Sequence, residues 1–489
     1  GFQVFNAHAL ADAVDLCKKH GPAGDRSVKA LLLDAATDPV ASAAVLKALG
    51  LEGSDPKSTQ RNVAGYVRNG LGSGLLYAVK QRQNPLAMGF TGSTDTALLI
   101  NRALAGRDSG AIATLIAETG GQNAMIVDAS AQPEQVVLDV LVSGFDSAGQ
   151  RCSALRVLCL QEDIADRVLA LLDEAMNELI VGNPAELATD VGPVIDEEAR
   201  AGLLAHIDAM RAAGRRVRQG ALPAECAAGS FVAPTLIEID SIAELRREVF
   251  GPIVHVLRYP ADRLDPLIAA INGTGYGLTF GMHSRIDESI AHVVHRLRAG
   301  NLYINRNIVG AVVGVQPFGG EGKSGTGPKA GGPLYLPRLV DAAALAPDTL
   351  GLERDETRSA YTDAFRVLRD WAYRNDLRSL SAACTDYAAA TLLGHHAELP
   401  GPTGERNILS FSSRGVVLCV AESQADLLEQ LAAALATGTV AGLVRRWRAR
   451  GHRDGAQCEC DGSQQRAGTP DFDGHGRKPS DVRPTMRCR

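Results

Sequence analysis

Short apolar runs alternate with amphipathic stretches over residues 89–340, and this alternation predicts a parallel-sheet α/β architecture. Aliphatic and β-branched runs predict strands at residues 124–127, 153–160, 253–257 and 300–304. Apolar residues at three- and four-residue spacing predict helices at residues 164–179, 197–213 and 287–298.

The regions on either side follow other patterns. Residues 1–88 contain helical patches at 9–18 and 40–49 but no alternation of strand and helix, so this helical and irregular region stays unassigned. After residue 340 the pattern returns to helix. A strand at residues 415–420 followed by a helix at 424–435 predicts one further β-α unit there.

The last stretch, residues 444–489, is rich in arginine and poor in aliphatic residues, so it is predicted to be a disordered tail. Interleaved acidic residues and the lack of an aromatic series argue against nucleic-acid binding. Translation in a shifted reading frame is the other interpretation of this stretch. Cys458 and Cys460 lack the second pair of ligands that is typical of zinc sites, so no metal is expected.

Composition excludes several classes of protein. The 489 residues suggest two to four domains, and a net charge of −6 argues against a protein that neutralises nucleic-acid phosphates. No window approaches the length of apolar sequence that spans a membrane. The nine cysteines are odd in number and irregularly spaced, which indicates reduced thiols. The sequence starts at Gly1 without a recognisable secretory signal, so a cytoplasmic location is expected.

Two short motifs contain candidate catalytic groups. Cys152 follows a glycine-containing loop and precedes an apolar run, so rigid backbone holds its thiol. Such a cysteine is a nucleophile where positive charge or backbone N–H groups lower its pKa, and otherwise it is a small buried hydrophobe. Glu118 precedes Gly120 and Gly121, which allow close approach of the backbone to a ligand. Each motif alone is more often structural, but the two together are a far more specific signal of a catalytic site than either one.

Five motifs follow one another in a fixed order: FTGST at 90–94, ETGG at 118–121, GQRCS at 149–153, EVFGP at 248–252, and QPFGG at 316–320 continuing to SGTGPKAGGP at 324–333. Their order and spacing resemble the aldehyde dehydrogenase superfamily. The most similar branch is the L-glutamate γ-semialdehyde (pyrroline-5-carboxylate) dehydrogenase module of bifunctional proline-utilisation proteins. The resemblance is strong over residues 89–339 and continues more weakly to about residue 437.

This resemblance implies an aldehyde dehydrogenase-like α/β fold. A Rossmann-type nucleotide-binding sheet, here incomplete, would be joined to an α/β catalytic domain. The remnant of the NAD-binding domain would span residues 89–120, and the catalytic domain residues 121–340. Residues 341–443 would form a C-terminal α/β region similar to the end of the longer proline-utilisation proteins.

The resemblance also implies the chemistry, which is the NAD-dependent oxidation of L-glutamate γ-semialdehyde to L-glutamate in proline breakdown. Cys152 would attack the aldehyde carbon to give a thiohemiacetal, which passes hydride to the nicotinamide and leaves a thioester. Glu118, with a pKa raised by partial burial, would activate the water that hydrolyses the thioester. The backbone N–H of Cys152 would be one donor to the oxyanion.

Cofactor and substrate residues follow from the same likeness. Gly92 and Ser93 would place the pyrophosphate at the N-terminus of a helix over residues 96–105. Glu248 would bind the nicotinamide ribose with Phe250 packed beside it. The expected cofactor contacts are Gly92, Ser93, Thr119, Gly120, Glu248 and Phe250. For the substrate, hydroxyl and backbone groups would anchor the carboxylate, and two aromatic rings would form apolar walls. These residues are Ser153, Ser324, Gly325 and Thr326 for the anchor, and Phe145 and Phe318 for the walls.

The sequence departs from the family before the cofactor turn. Residues 1–88 lack the segment whose Asn completes the oxyanion hole and the Lys-Pro segment that holds the adenosine ribose, so NAD is not distinguished from NADP. Either residues 1–88 complete the domain and the chain is active, or the chain is a truncated or rearranged dehydrogenase without effective NAD binding. A binding protein built on an inactive module is the third interpretation. A homodimer, and a proline dehydrogenase partner or lost fused domain, stay open.

Overall fold

The computed structural model describes residues 3–5, 87–107, 112–312, 315–339, 347–354 and 362–445. The helical patches predicted at residues 9–18 and 40–49 lie outside these ranges, as does the tail after residue 445. Those predictions therefore stay predictions.

The described residues contain strands and helices in alternation over most of the chain. The strands are β1 Gln3–Phe5, β2 Ala87–Thr91, β3 Thr114–Glu118, β4 Ala124–Val127, β5 Val157–Gln161, β6 Val217–Gln219, β7 Thr235–Ile239, β8 Ile253–Tyr259, β9 Tyr276–Gly277, β10 Thr279–His283, β11 Asn301–Ile304, β12 Glu321–Gly322, β13 Glu353–Arg354, β14 His395–Leu399, β15 Asn407–Ser410, β16 Val416–Ala421 and β17 Val440–Arg445. The helices are α1 Thr94–Ala105, α2 Pro133–Phe145, α3 Glu162–Asn177, α4 Glu197–Ala212, α5 Leu264–Gly273, α6 Asp287–Arg296, α7 Asp363–Arg374, α8 Arg378–Ala390 and α9 Gln424–Ala436.

A seven-stranded sheet forms the centre of the described structure, with the strand order β11-β10-β4-β5-β8-β7-β6. All neighbours run parallel except β6, which pairs antiparallel with β7. Every residue of β4 is buried, as expected for a parallel strand covered on both faces. The predicted parallel α/β architecture of this region is confirmed, and the predicted helices are found within three residues of their expected ends.

One predicted strand is too long at its start. The strand expected at residues 153–160 begins only at Val157, because the preceding backbone forms other hydrogen bonds. The Ala154 N–H donates to the Arg151 carbonyl at 3.0 Å, and the Leu155 N–H donates to the Ser143 carbonyl at 2.8 Å. Residues 151–154 therefore form a turn that holds Cys152 just before β5.

A smaller sheet lies before the large one in the sequence. Its order is β1-β2-β3, with β1 antiparallel to β2 and β2 parallel to β3. Helix α1 connects β2 to β3 and packs its buried Ile100 and Leu104 against Met88 and Phe90. This strand-helix-strand unit is the part expected of a nucleotide-binding domain.

The C-terminal residues form a separate cluster of elements. Helices α7, α8 and α9 share a small core that includes Phe365, Cys384 and Ala432. Strands β16 and β17 pair in parallel on either side of α9 in the sequence, which confirms the predicted β-α unit. The antiparallel sheet β13-β14-β15 was not predicted, because its strands lack a clear alternation of apolar and polar residues. Strand β17 also extends two residues into the predicted tail.

Within the described ranges, no helix is long and apolar enough to cross a membrane. Nor do these residues bring together three or more His, Cys, Asp or Glu side chains that could hold a metal ion.

Candidate active site

Glu118 lies at the carboxyl end of β3, where ligands bind in open α/β sheets. One of its carboxylate oxygens, Oε2, accepts a hydrogen bond from the Gly320 N–H at 3.3 Å. The other, Oε1, is buried and accepts no hydrogen bond from the described residues. Burial raises the pKa of Glu118 to about 7, against the smaller opposing effects of the Gly320 N–H and of Lys329. The expected rise in the pKa of this carboxyl group is therefore found.

The predicted cofactor turn lies beside Glu118. Gly92 and Ser93 connect β2 to α1, and the Gly92 N–H donates to the Glu118 carbonyl at 3.1 Å. Ser93 caps the helix, since its hydroxyl accepts a hydrogen bond from the Thr96 N–H at 3.1 Å. The helix begins at Thr94, two residues before its predicted start, so its N-terminus and Glu118 share one edge of the small sheet.

Cys152 lies in a turn that follows an unusual backbone segment. Ser147 and Ala148 both have a φ of 54°, and Gly149 has a φ of 64°. Left-handed conformations cost free energy for residues other than glycine and often occur at functional sites. A Cβ on Gly149 would lie 2.2 Å from the Gly251 carbonyl oxygen, so only glycine fits there. The loop before the thiol thus has one tightly defined shape.

The Asn123 side chain holds the Cys152 turn in place. Its Nδ2 donates to the carbonyls of Cys152 at 2.7 Å and of Ala154 at 2.8 Å. Its Oδ1 accepts a hydrogen bond from the Thr279 N–H at 3.1 Å. Asn123 follows the Glu118 motif and directly precedes β4, so one loop connects the carboxylate to the backbone of the thiol.

The electrostatics at Cys152 differ from the expectation for an activated thiol. Burial raises its pKa, and the carboxylates of Glu248 and Glu118 raise it further. The backbone N–H groups of Ser153 and Cys152 act in the opposite direction. The pKa of the thiol is therefore raised in the structure, whereas activation as a nucleophile would need positive charge or backbone N–H groups to lower it.

Arg156 is the nearby cation, and its charge faces Glu248 instead. Its Nη2 lies 3.0 Å from Glu248 Oε1, and its Nη1 donates to the carbonyls of Gly149 at 2.7 Å and Gly251 at 3.3 Å. The guanidinium carbon lies 5.1 Å from the centre of the Phe250 ring, within the range of a cation-π interaction. Glu248 and Phe250 are thus placed together, with Arg156 between them and the thiol loop.

The remaining predicted cofactor residues, Thr119 and Gly120, lie next to Glu248. A Cβ on Gly120 would lie only 1.7 Å from Glu248 Oε2, so the carboxylate rests directly on the backbone. The Thr119 side chain is buried, and its hydroxyl donates to the Lys323 carbonyl at 2.5 Å. All six predicted cofactor residues therefore lie near the junction of the two sheets.

The predicted carboxylate anchor is adjacent to Glu118. Gly325 forms an antiparallel β-bridge with Glu118. The buried Ser324 hydroxyl accepts a hydrogen bond from the Gly277 N–H at 3.0 Å, and the Thr326 hydroxyl accepts one from the Ala117 N–H at 2.9 Å. Both hydroxyls thus hold the loop against the sheets in this structure, and their role toward a substrate stays a prediction.

The other predicted substrate residues, Ser153, Phe145 and Phe318, lie in different surroundings. Ser153 is buried beside Cys152, and its carbonyl accepts a hydrogen bond from the Thr279 hydroxyl at 3.1 Å. Phe145 is fully buried and belongs to the main hydrophobic core. Phe318 is half-buried and forms a β-bridge with Ala330. Their contact with a substrate stays a prediction.

A family model for the aldehyde dehydrogenase family matches residues 62–341, which is more than half of the chain. The chain belongs to the aldehyde dehydrogenase family. Bifunctional protein PutA of Escherichia coli is 54% identical over 365 residues, which cover 72% of this aldehyde dehydrogenase chain and 28% of PutA. A 1-pyrroline-5-carboxylate dehydrogenase of Geobacillus kaustophilus is 39% identical over 251 residues, covering 50% of the chain and 48% of that enzyme.

The solved structures agree with this family assignment. A crystal structure of a mutant of Bradyrhizobium japonicum Proline Utilization A (PutA) matches with a TM-score of 0.52 and 54% sequence identity. The match covers 55% of this aldehyde dehydrogenase chain and 27% of that chain. The chain therefore spans less than a third of the PutA proteins and about half of the dehydrogenase that it matches. The predicted aldehyde dehydrogenase-like α/β fold and the predicted relationship to proline-utilisation proteins are confirmed.

Three residues of this candidate site were not identified from the sequence: Asn123, Arg156 and Lys329. Arg156 interrupts an otherwise apolar run at 154–160, which is the signal that could have identified a buried, paired cation. Lys329 lies within the motif at residues 324–333, yet only the structure places it near Glu118. Asn123 directly precedes a buried strand, a position where an amide can satisfy neighbouring backbone groups.

Proposed function

We propose that the chain is an aldehyde dehydrogenase that oxidises L-glutamate γ-semialdehyde to L-glutamate in proline breakdown, with Cys152 as nucleophile and Glu118 as general base. The observation that supports this most is the paired site itself. A buried carboxylate with a pKa of about 7 and a thiol whose own pKa responds to that carboxylate are joined through the loop that contains Asn123. This combination suits covalent catalysis followed by hydrolysis.

In the proposed reaction, the Cys152 sulfur bonds to the aldehyde carbon after its proton leaves. Because the pKa of the thiol is raised, a base must accept that proton, and Glu118 is the described carboxylate with a pKa near neutrality that interacts with it. Glu118 then releases that proton to solvent. After oxidation, water attacks the thioester carbon and gives a proton to Glu118. The carbon–sulfur bond breaks, which releases the carboxylic acid and the Cys152 thiolate, and the thiolate takes the proton back from Glu118.

The described residues fit NAD in the part of the site that they form. Backbone N–H groups at the start of α1 suit a pyrophosphate, and Glu248 on the Gly120 backbone offers a carboxylate to a ribose hydroxyl. When bound, NAD would supply the acceptor for the hydride of the substrate. Glu248 Oε1 accepts hydrogen bonds from Arg156, and the Gly121 N–H also donates to the carboxylate, so we assign the ribose contact to the carboxylate as a whole and not to one oxygen.

Substrate, partners and location belong to the same proposal. The names of the relatives, which include PutA and 1-pyrroline-5-carboxylate dehydrogenase, support a semialdehyde that carries an amino acid group. Ser153, Ser324, Gly325 and Thr326 are the proposed anchor for its carboxylate, with Phe145 and Phe318 on the apolar side. A cytoplasmic location, a homodimer and a proline dehydrogenase partner or fused domain complete the proposal.

The test uses the full purified chain in two steps. Binding of NAD is measured by calorimetry, and NADH production is then followed after addition of L-glutamate γ-semialdehyde. We expect micromolar binding and turnover that Cys152→Ala abolishes. Cys384→Ala is the matched control, because that thiol lies in the C-terminal helix core and its loss is expected to leave turnover in place.

The alternative is a truncated or rearranged dehydrogenase that keeps the thiol and carboxylate without effective NAD binding. The described part of the nucleotide-binding sheet has three strands, only two of them parallel, and one helix, which is the observation in its favour. A folded chain that binds no NAD, or that makes NADH equally well with Cys152→Ala, would overturn the proposed function.

A further inference from the structure

Lys329 is held in one place near the end of the glycine-rich loop. Its Nζ donates to the Gly300 carbonyl and lies 3.5 Å from Asn301 Oδ1. Both partners are at the start of β11, in the large sheet. Because these contacts fix the ammonium group on the rigid sheet, its charge has a defined position in the site.

The lysine and Glu118 approach each other across Gly319. A Cβ placed on Gly319 would lie 2.7 Å from Glu118 Oε1 and 3.1 Å from the Lys329 Cα. Oε1 is also the buried oxygen that accepts no hydrogen bond from the described residues. The Gly319 N–H also donates at 3.3 Å to Asn301 Oδ1, the atom that the Lys329 ammonium group contacts, so Gly319 lies between the carboxylate and the ammonium group.

The two groups influence each other through space. The positive charge of Lys329 opposes the burial that raises the pKa of Glu118, and Glu118 in turn opposes the burial that lowers the pKa of Lys329 to about 8. The other titratable groups that face the pair are Glu321 toward Lys329, and Cys152 and Tyr335 toward Glu118. Lys329 is the cation that acts on Glu118 among these groups.

We propose that Lys329 is a positioning residue for hydrolysis: its ammonium group, fixed on the Gly300 carbonyl, keeps the Glu118 carboxylate ionised so that it can accept the proton of the attacking water. This inference rests on the proposed function, since it assigns a partner to the proposed general base. The proton passes from water to Glu118, the water oxygen bonds to the thioester carbon, the carbon–sulfur bond breaks, and the Cys152 thiolate that leaves takes the proton from Glu118. Lys329 gives and takes no proton in this step.

The test follows hydrolysis of acyl-Cys152 without any cofactor. The full chain is acylated with p-nitrophenyl acetate, and loss of acetyl-Cys152 is measured by mass spectrometry from pH 5.5 to pH 9. The variants are Lys329→Met, which removes the charge at similar length, and Lys329→Arg, which keeps it. Lys323→Met is the matched control, because this exposed lysine of the same loop donates to the Thr274 carbonyl at 2.8 Å.

We expect the acid limb of the Lys329→Met profile to move up by about one pH unit, because an opposite charge nearby lowers a carboxyl pKa by that order. Deacylation at pH 7 would then fall about fivefold and approach the wild-type rate at pH 9. Convergence at high pH would also show that the variant is folded. Lys329→Arg should recover most of the shift, and Lys323→Met should leave the profile in place.

Overlapping profiles for the wild type and Lys329→Met would overturn the inference, as would an equal shift in Lys323→Met. Failure of the proposed function looks different, since it gives no NADH while acetyl-Cys152 is still hydrolysed in a Glu118-dependent way. If acetyl-Cys152 does not form, the Glu118 carboxyl can be titrated by infrared difference spectroscopy against Glu118→Gln. Its titration point should rise in Lys329→Met, and an unchanged point would contradict the inference.

Discussion

The Arg156 guanidinium group is buried against the Glu248 carboxylate, with 3.0 Å between Nη2 and Oε1. The Arg156 side chain is 1% exposed and that of Glu248 is 16% exposed. The same guanidinium group also donates to the carbonyls of Gly149 and Arg151, both in the loop just before Cys152. Arg156 thus connects the loop before Cys152 to Glu248, the residue proposed to bind the nicotinamide ribose.

Arg156→Met should destabilise the fold strongly. Removing one partner of a buried pair leaves an unpaired charge and typically costs about 3–5 kcal/mol. We therefore expect a lower urea midpoint for unfolding, measured by circular dichroism. Arg167→Met is the control, because the Arg167–Glu134 pair is 66% and 55% exposed and such surface pairs contribute about 1 kcal/mol or less. Equal midpoints for the two variants would show that the buried pair has no special role.

Gly149→Ala should disrupt the loop that precedes the thiol. The new methyl group would need a φ of 64° and would collide with the Gly251 carbonyl, so we expect loss of both stability and acylation of Cys152. Gly202→Ala is the matched control, since Gly202 lies within α4 with open space around it and should gain about 0.5–1 kcal/mol. Thermal unfolding and acylation by p-nitrophenyl acetate are the measurements. Normal acylation in Gly149→Ala would contradict this account of the loop.

Cys152 should react slowly with iodoacetamide at neutral pH and faster as the pH rises. The reason is that burial and nearby carboxylates raise the pKa of its thiol, and only the thiolate is alkylated. Among the five described cysteines it should still be labelled first, because Cys159, Cys226, Cys384 and Cys419 are buried. Peptide mass spectrometry across a pH series measures both effects. Rapid labelling of Cys152 below pH 7 would mean that its pKa is lowered.

The sequence was a good guide to elements and motifs, because local patterns determine them. Alternating apolar runs located the large sheet, and the Gly92-Ser93 turn was placed at a helix N-terminus, as observed. The start of β5 was predicted too early, at residue 153, because the run from 153 to 160 is mostly apolar, with Arg156 inside it. Its partner Glu248 is 92 residues away, and only the packed structure shows that a turn precedes Val157.

The charges of the site could not be predicted for a similar reason. A lowered pKa at Cys152 was expected to need positive charge or backbone N–H groups nearby. Arg156 is the nearby cation, but it is paired with Glu248, and the pKa of the thiol is raised. Lys329 is in a recognisable motif, yet its effect on Glu118 depends on how two loops meet across Gly319. Such effects arise from tertiary contacts between motifs and not from any one of them.

Two buried histidines should make the fold sensitive to acid. His255 Nε2 lies 2.9 Å from His206 Nε2, and its Nδ1 lies 3.1 Å from the Arg156 carbonyl. Burial, and secondarily His206, lowers the pKa of His255 to about 3, and burial lowers the pKa of His283 to about 4. An unfolded histidine has a pKa of about 6.5, so the unfolded chain binds more protons below that pH. The stability due to these neutral histidines is therefore lost as the pH falls below about 6.5.

Urea unfolding at pH 7.5, 6.5 and 5.5 measures this dependence. Each histidine should lower the free energy of unfolding by about 1 kcal/mol between pH 6.5 and 5.5. Glu118 has the opposite effect on stability. Because its pKa is raised in the folded state, its protonation as the pH falls through about 7 stabilises the fold. The comparison is therefore made between variants: His255→Gln and His283→Gln should each reduce the acid slope relative to the wild type. If both variants keep the wild-type slope, these histidines are not the groups whose protonation destabilises the fold in acid.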